Sequence, residues 1–200
     1  MKTSIQLFCL SGFLLAALMV GSCKEQTAQS EVATAETPAE SSETDRLARG
    51  EYLVGVIGCA DCHTPKKMTE RGPVPDMDKY MMGYDASQAM PPVPESVPIG
   101  PWVLFKGDLT AAVGPWGTTY AANLTPDDTG IGTWTLDQFG KAVREGKFKG
   151  LDGGRPIMPP MPVEAYSKLS DADLEAIFTY LKSLKPVRNV VPGYEPPAGS

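Results

Sequence analysis

The sequence predicts a mainly α fold, with three or more helices joined by long Gly- and Pro-rich loops. Two observations carry this. Apolar residues recur at helical spacing in three stretches, and no stretch shows convincing alternation. Gly (20) and Pro (19) make up almost a fifth of the 200 residues, too many for a regular bundle or a long sheet. The length points to one domain with a tail. A net charge of -6 and a pI of about 4.9 make nucleic acid an unfavourable partner.

Residues 1–22 carry Lys2, no acid, and an apolar run from Ile5 to Val20. A basic start, a short apolar run and a small-residue exit at Gly21 and Ser22 read as a secretory signal. The run falls short of the roughly 20 apolar residues that span a bilayer. V-G-S-C, ending at Cys23, resembles a lipobox, so Cys23 is expected to be lipidated and to anchor the chain. The expected location is the periplasmic side of a bacterial membrane. Residues 24–45 hold six acids, one base and almost no large apolar side chain. Together with Cys23 they are expected to form a disordered acidic tether (23–45), reaching roughly 25 Å by the square-root rule.

The domain expected over 46–192 begins with a helix from about Asp45 to Ile57, with Leu47, Val54 and Ile57 on one face. Gly50 and Gly55 within it suggest close approach by another helix. A second helix follows Thr135, because T-L-D-Q is a capping box and Phe139, Ala142 and Val143 supply the apolar side. A third follows Ser170, with Asp171 and Asp173 at its positive end. Leu174, Ile177, Phe178, Leu181 and Leu184 form its stripe, and Pro186 ends it. The long stretch between the first two helices must be ordered by something other than regular structure. Residues 193–200 read as a flexible tail.

Cys59-Ala60-Asp61-Cys62-His63 is the C-x-x-C-H haem attachment motif. Each thiol can add to a haem vinyl group, and the imidazole of His63 then lies under the ring as iron ligand. The expected cofactor is one covalent haem c. A thioredoxin-like site would need a preceding strand, and the sequence reads as helix there. A zinc site would need a fourth ligand, yet His63 is the single His of the chain. A plain disulfide leaves the adjacent His63 unexplained.

With no second His, the distal ligand falls to Met, Lys, a weak oxygen donor or nothing. Met68, Met77, Met81, Met82 and Met90 are read as core fillers. The segment R-P-I-M-P-P-M-P, residues 155–162, forms a stiff strap able to present a thioether. Spacing alone leaves Met158 and Met161 both open.

Several blocks extend the pattern: R-G-E-Y-L-V, C-A-D-C-H-T-P, Y-A-A-N-L-T-P-D-D-T-G-I-G-T-W, V-R-E-G-K, P-P-M-P, Y-S-K-L-S-D-A-D-L and I-F-T-Y-L-K-S-L-K-P-V. In this order they resemble class I-type c-type cytochromes. More narrowly, they resemble the single haem domains in the cytochrome subunits of membrane-bound alcohol and gluconate dehydrogenases. The resemblance implies a cytochrome c-like fold, with three or more helices around one covalent haem. It implies Met161 as distal ligand, nine residues before Ser170, with Met158 in reserve. It implies a helix crossing at Gly50 or Gly55 against Tyr180. It also implies Asn123, Thr125 and Trp134 along the haem edge. Two departures stand out: those subunits carry three haem motifs where this chain has one, and residues 65–118 have no clear counterpart.

The function that follows is one-electron transfer between redox partner proteins, with no small-molecule substrate and no bond chemistry. The runner-up readings are a haem subunit of a larger dehydrogenase or oxidase and, further off, a peroxidase-like enzyme. Lys66, Lys67, Arg71, Lys141, Arg144, Lys147, Lys149 and Arg155 are expected to form a basic rim that steers acidic partners. Arg144 or Arg155 is expected to pair with a haem propionate.

Overall fold

The computed structural model describes residues 42–93 and 99–197. The signal at 1–22, the lipidation site Cys23 and the tether up to residue 41 lie outside the described residues, as do 198–200 of the tail.

The first helix, α1 (Glu43–Val56), starts earlier than its apolar pattern indicates. Ser42 accepts a hydrogen bond from the Asp45 amide and so caps it, drawing 43–45 out of the expected tether. A short α2 (Cys59–His63) follows after Gly58, which takes a left-handed φ of 78°. The second predicted helix is α3 (Leu136–Glu145), capped by the Thr135 hydroxyl accepting from the Gln138 amide at 3.2 Å. A one-turn α4 (Val163–Tyr166) and the long α5 (Asp171–Ser183) complete the helices. Ser170 caps α5 by accepting from the Asp173 amide at 3.1 Å.

The expectation of a mainly α fold is corrected to mixed α and β. Residues 66–75 form an antiparallel hairpin of β1 (Lys66–Thr69) and β2 (Gly72–Pro75). An antiparallel meander follows, of β3 (Leu104–Phe105), β4 (Ala111–Gly114) and β5 (Gly117–Tyr120). These strands escape periodicity because none exceeds four residues, and β4 is buried throughout, so it never alternates. Within the expected tail 193–200, residue 195 pairs with the meander through Glu195 N to Thr118 O and Thr118 N to Glu195 O. Tyr194 Oη donates to Trp116 O at 2.5 Å.

The core lies where α1 crosses α5. Leu53, Val54, Leu174, Ile177 and Leu181 are buried there with Met81, Ile131 and Phe139. Full burial of each such side chain is worth about 1.5–3 kcal/mol. The crossing depends on one small residue. A Cβ on Gly50 would strike the Ala176 carbonyl and lie 2.7 Å from Tyr180 Cβ, whereas a Cβ on Gly55 would meet nothing within 4 Å. Of the two glycines read as the contact, Gly50 is therefore the one that makes it.

A second anchor is Asn189, buried beyond the end of α5. Its Nδ2 donates to Met82 O and Tyr84 O, each at 2.7 Å, and its Oδ1 accepts from the Ala86 amide at 3.2 Å. This ties the chain after α5 to the segment between the hairpin and the meander.

Gly50→Ala should overpack the crossing and cost about 1–3 kcal/mol in denaturant unfolding. Gly55→Ala should instead be stabilising by about 0.5–1 kcal/mol, as expected for a helix position with open space. Asn189→Ala leaves buried carbonyls unpaired and should cost about 3 kcal/mol by the same measurement.

Candidate functional site

The C-x-x-C-H motif occupies the single turn of α2, so Cys59, Cys62 and His63 share one small patch of helix. Both thiols are unpaired and partly buried. Burial pushes the Cys59 thiol up to about 11 and also raises Cys62, while the nearby Lys66 charge pulls Cys62 back in part. Both therefore rest as neutral thiols at pH 7. Cys59 and Ala60 pack against the α1–α5 core, so the turn is held from beneath. Tyr166 of α4 donates its phenol hydrogen to Ile57 O at 2.8 Å and also lies against the Cys59 thiol.

His63 is fixed by its own ring. Nδ1 lies 2.7 Å from Ala122 O, a carbonyl that can only accept, so Nδ1 carries the hydrogen. Burial lowers the His63 pKa and keeps the ring neutral. Nε2 is then a bare lone pair, which no described residue engages. A carbonyl-bound Nδ1–H leaving Nε2 for a metal is how proteins orient ligating imidazoles. Two free thiols on one turn beside such a ring fit a covalently held haem. Among the described residues no group of three or more His, Cys, Asp and Glu could hold a metal ion.

The unplaced segment 65–118 supports this arrangement. Gly83 N donates to His63 O at 2.8 Å, Tyr84 N to Ala121 O at 2.9 Å and Leu124 N to Met81 O at 2.8 Å. Residues 81–84 thus thread between the motif and the loop bearing Ala122. Gly83 has a φ of 75°, and a Cβ there would lie 2.5 Å from Ala122 O, the atom that orients His63. Thr64 Oγ1 accepts from the Met81 amide at 3.2 Å and donates towards Met81 Sδ at 3.8 Å, so that sulfur is turned into the core. Met81 and Met82 are buried fillers as expected, whereas Met68 and Met77 are 72% and 66% exposed, which corrects their reading as core residues.

The strap 155–162 is anchored on two sides. Ile157 N donates to Gly146 O at 2.6 Å, and Thr119 Oγ1 donates to Pro159 O at 2.9 Å. Met158 and Met161 are both partly buried. Met161 stands two residues before α4, whose Tyr166 reaches the residues leading into the motif.

Asn123 is buried and fully engaged. Its Oδ1 accepts from the Thr125 amide and hydroxyl at 2.9 and 2.8 Å, and its Nδ2 donates to Thr129 Oγ1 and Val187 O at 3.1 and 2.8 Å. With the buried Thr125 it shapes the loop that carries Ala122. Trp134 packs against the core.

Of the eight cations expected to form a basic rim, four are ion-paired among the described residues. Lys67 pairs with Asp76 and Asp78, Lys141 with Asp137 and Asp152, and Lys147 with Glu145 and Asp152. Arg144 donates to Asp171 at 2.6 Å, while its buried Nε meets no acceptor among the described residues. Arg155 lies over the Phe148 ring at 3.9 Å and the Tyr194 ring at 5.1 Å. Sequence reasoning missed Ala122, Gly83 and Tyr166. Ala122 acts through a backbone carbonyl that any residue carries, so its type gave no signal.

No protein-family model matches the chain. Over 156 residues, 77% of its length, it is 32% identical to the fructose dehydrogenase cytochrome subunit of Gluconobacter japonicus. Over 135 residues, 67% of its length, it is 33% identical to the gluconate 2-dehydrogenase cytochrome c subunit of Pantoea cypripedii. Over 151 residues, 74% of its length, it is 29% identical to the cytochrome c subunit of the quinone-dependent alcohol dehydrogenase of Gluconobacter oxydans. The chain spans 24%, 22% and 24% of these relatives, so no more than a quarter of each. The chain is thus homologous, over most of its length, to a portion of the cytochrome subunits of fructose, gluconate and alcohol dehydrogenases.

Proposed function

We propose that the chain is an exported single-haem c-type electron carrier, tethered through Cys23 to the periplasmic side of a bacterial membrane. The observation that carries this reading is the pairing of two free thiols on one turn with a neutral His63 whose Nδ1 is held by Ala122 O. Cys59 and Cys62 would hold the haem as thioethers, and His63 Nε2 and Met161 Sδ would be its iron ligands. Haem bound in this way supplies a one-electron couple.

The chain's own residues supply the rest. Ala122 sets the tautomer of His63. Tyr166 steadies the turn that presents the thiols. The prolines on either side of Met161 stiffen the strap, so its thioether need not be ordered at each redox change. With both side chains bound, no position would stay open for a substrate, which favours electron transfer to protein partners. The expected partners are redox proteins, neither nucleic acid nor a small molecule. A second reading is a haem subunit within a larger dehydrogenase complex. It is favoured by the relatives' names, which are those of dehydrogenase subunits, and by the fraction of each that this chain spans. Co-purification of a dehydrogenase with the tagged chain distinguishes the two.

The mature protein should keep its visible colour through acid acetone extraction, and Cys59→Ala with Cys62→Ala should release it. A purified exported chain without colour would refute the reading. Met161→Ala should abolish the sulfur-to-iron charge-transfer band of the oxidised protein, while Met158→Ala should retain it. The reverse pattern would assign the ligand to Met158.

A further inference from the structure

Lys66 reads in sequence as one of the surface cations that follow the motif, but its ammonium points inward. It is partly buried, and all three of its donors end on backbone oxygens. These are Asp61 O within the motif, Thr64 O at 3.4 Å and Asp108 O at 2.7 Å. Among the described residues it pairs with no carboxylate. Asp108 could have neutralised it, but that carboxylate is committed to Lys106 at 2.5 Å and to the Thr110 amide and hydroxyl at 3.0 and 2.8 Å. The charge is therefore solvated by carbonyl dipoles and is not cancelled. Its neighbour Lys67 differs, because it faces solvent and is paired with Asp76 and Asp78.

Two consequences follow from this placement. Asp61 and Thr64 belong to the haem-attachment turn and its cap, while Asp108 sits at the turn between β3 and β4. The lysine therefore bridges the motif to the segment that has no clear counterpart in the family pattern. The same ammonium stands three residues from His63 and acts electrostatically on the Cys62 sulfur. A fixed, uncancelled positive charge favours the state that has gained an electron.

Resting on the haem reading above, we propose that Lys66 is a positioning residue that locks the β3–β4 turn onto the C-x-x-C-H helix and biases the haem towards its reduced form. The experiment uses the full-length holoprotein. Midpoint potentials are measured by redox titration for wild type, Lys66→Met, Lys66→Arg and, as a control, Lys67→Met. Backbone hydrogen exchange over 106–110 is followed in each. Lys66→Met should lower the equilibrium constant for reduction by about tenfold, which is about 59 mV for one electron. Exchange over 106–110 should quicken in the same variant. Lys66→Arg, which keeps the charge, should stay near the wild-type potential, as should Lys67→Met.

An unchanged potential in Lys66→Met overturns the electrostatic role, and unchanged exchange overturns the lock. An equal fall in Lys66→Arg would assign the effect to packing and also overturn the charge argument. Should Lys66→Met fail to fold, the charge argument is read from the potential of Lys66→Gln, which keeps hydrogen-bond donors without the charge, and the lock from exchange over 106–110 in Lys66→Ala. A colourless wild-type protein would sink the haem reading itself, whereas a coloured protein with unshifted variants would sink only this inference.

Discussion

The hydrogen bond from His63 Nδ1 to Ala122 O is the contact on which the site is organised. An imidazole has two nitrogens of similar basicity, and a metal site needs one of them bare and aimed. A backbone carbonyl settles the choice because it cannot donate. It also joins two distant parts of the chain, the attachment turn at 59–63 and the loop at 121–125. Much of the remaining structure keeps that carbonyl in place. Asn123 and Thr125 brace the loop from within and tie it to Val187, beyond α5. Gly83 passes so close to Ala122 O that no side chain fits. Asn189 then fixes the segment carrying Gly83 from the other side through Met82 O and Tyr84 O.

The helices were legible because their signals are local. Thr135 and Ser170 cap α3 and α5 as their sequences indicate, and the Leu174–Leu181 stripe is the buried face of α5. The C-x-x-C-H spacing falls on the single turn of α2, which brings Cys59, Cys62 and His63 together. The strands were not legible, since runs of two to four residues carry too few positions for a period to show. Choosing between Gly50 and Gly55 likewise needed the partner helix, because each is equally small. The charges misled for a related reason. Lys141 and Lys147 converge on Asp152, and this pairing arises only when the chain folds back after α3.

Residues 65–93 and 99–118 show how a chain poor in regular structure becomes ordered. Its hairpin and meander are small, and a two-stranded hairpin alone is marginal in water. Order comes from ties to the C-x-x-C-H region at several points: Gly83 to His63 O, Met81 to Thr64, and Lys66 to Asp61 O. Met81 illustrates the cost, since it sits fully buried at a φ of 62°, a backbone region that non-glycine residues seldom occupy. Its amide is satisfied by the Thr64 hydroxyl and its carbonyl by Leu124 N, which offsets that strain.

The segment after α5 closes the fold, running past Thr125 and Asn123 to the meander, where Glu195 pairs with Thr118. The contacts radiate from the residues around Ala122 to α2, to 81–84 and to Val187 after α5. Under the proposed electron-carrier reading this arrangement has a physical advantage. One electron gained or lost would change the charge at a bound haem, and surrounding dipoles that are already fixed would need little reorganisation. Carbonyls of Asp61, Thr64, Asp108 and Ala122 are each held in place by a donor, so these polar groups are already oriented.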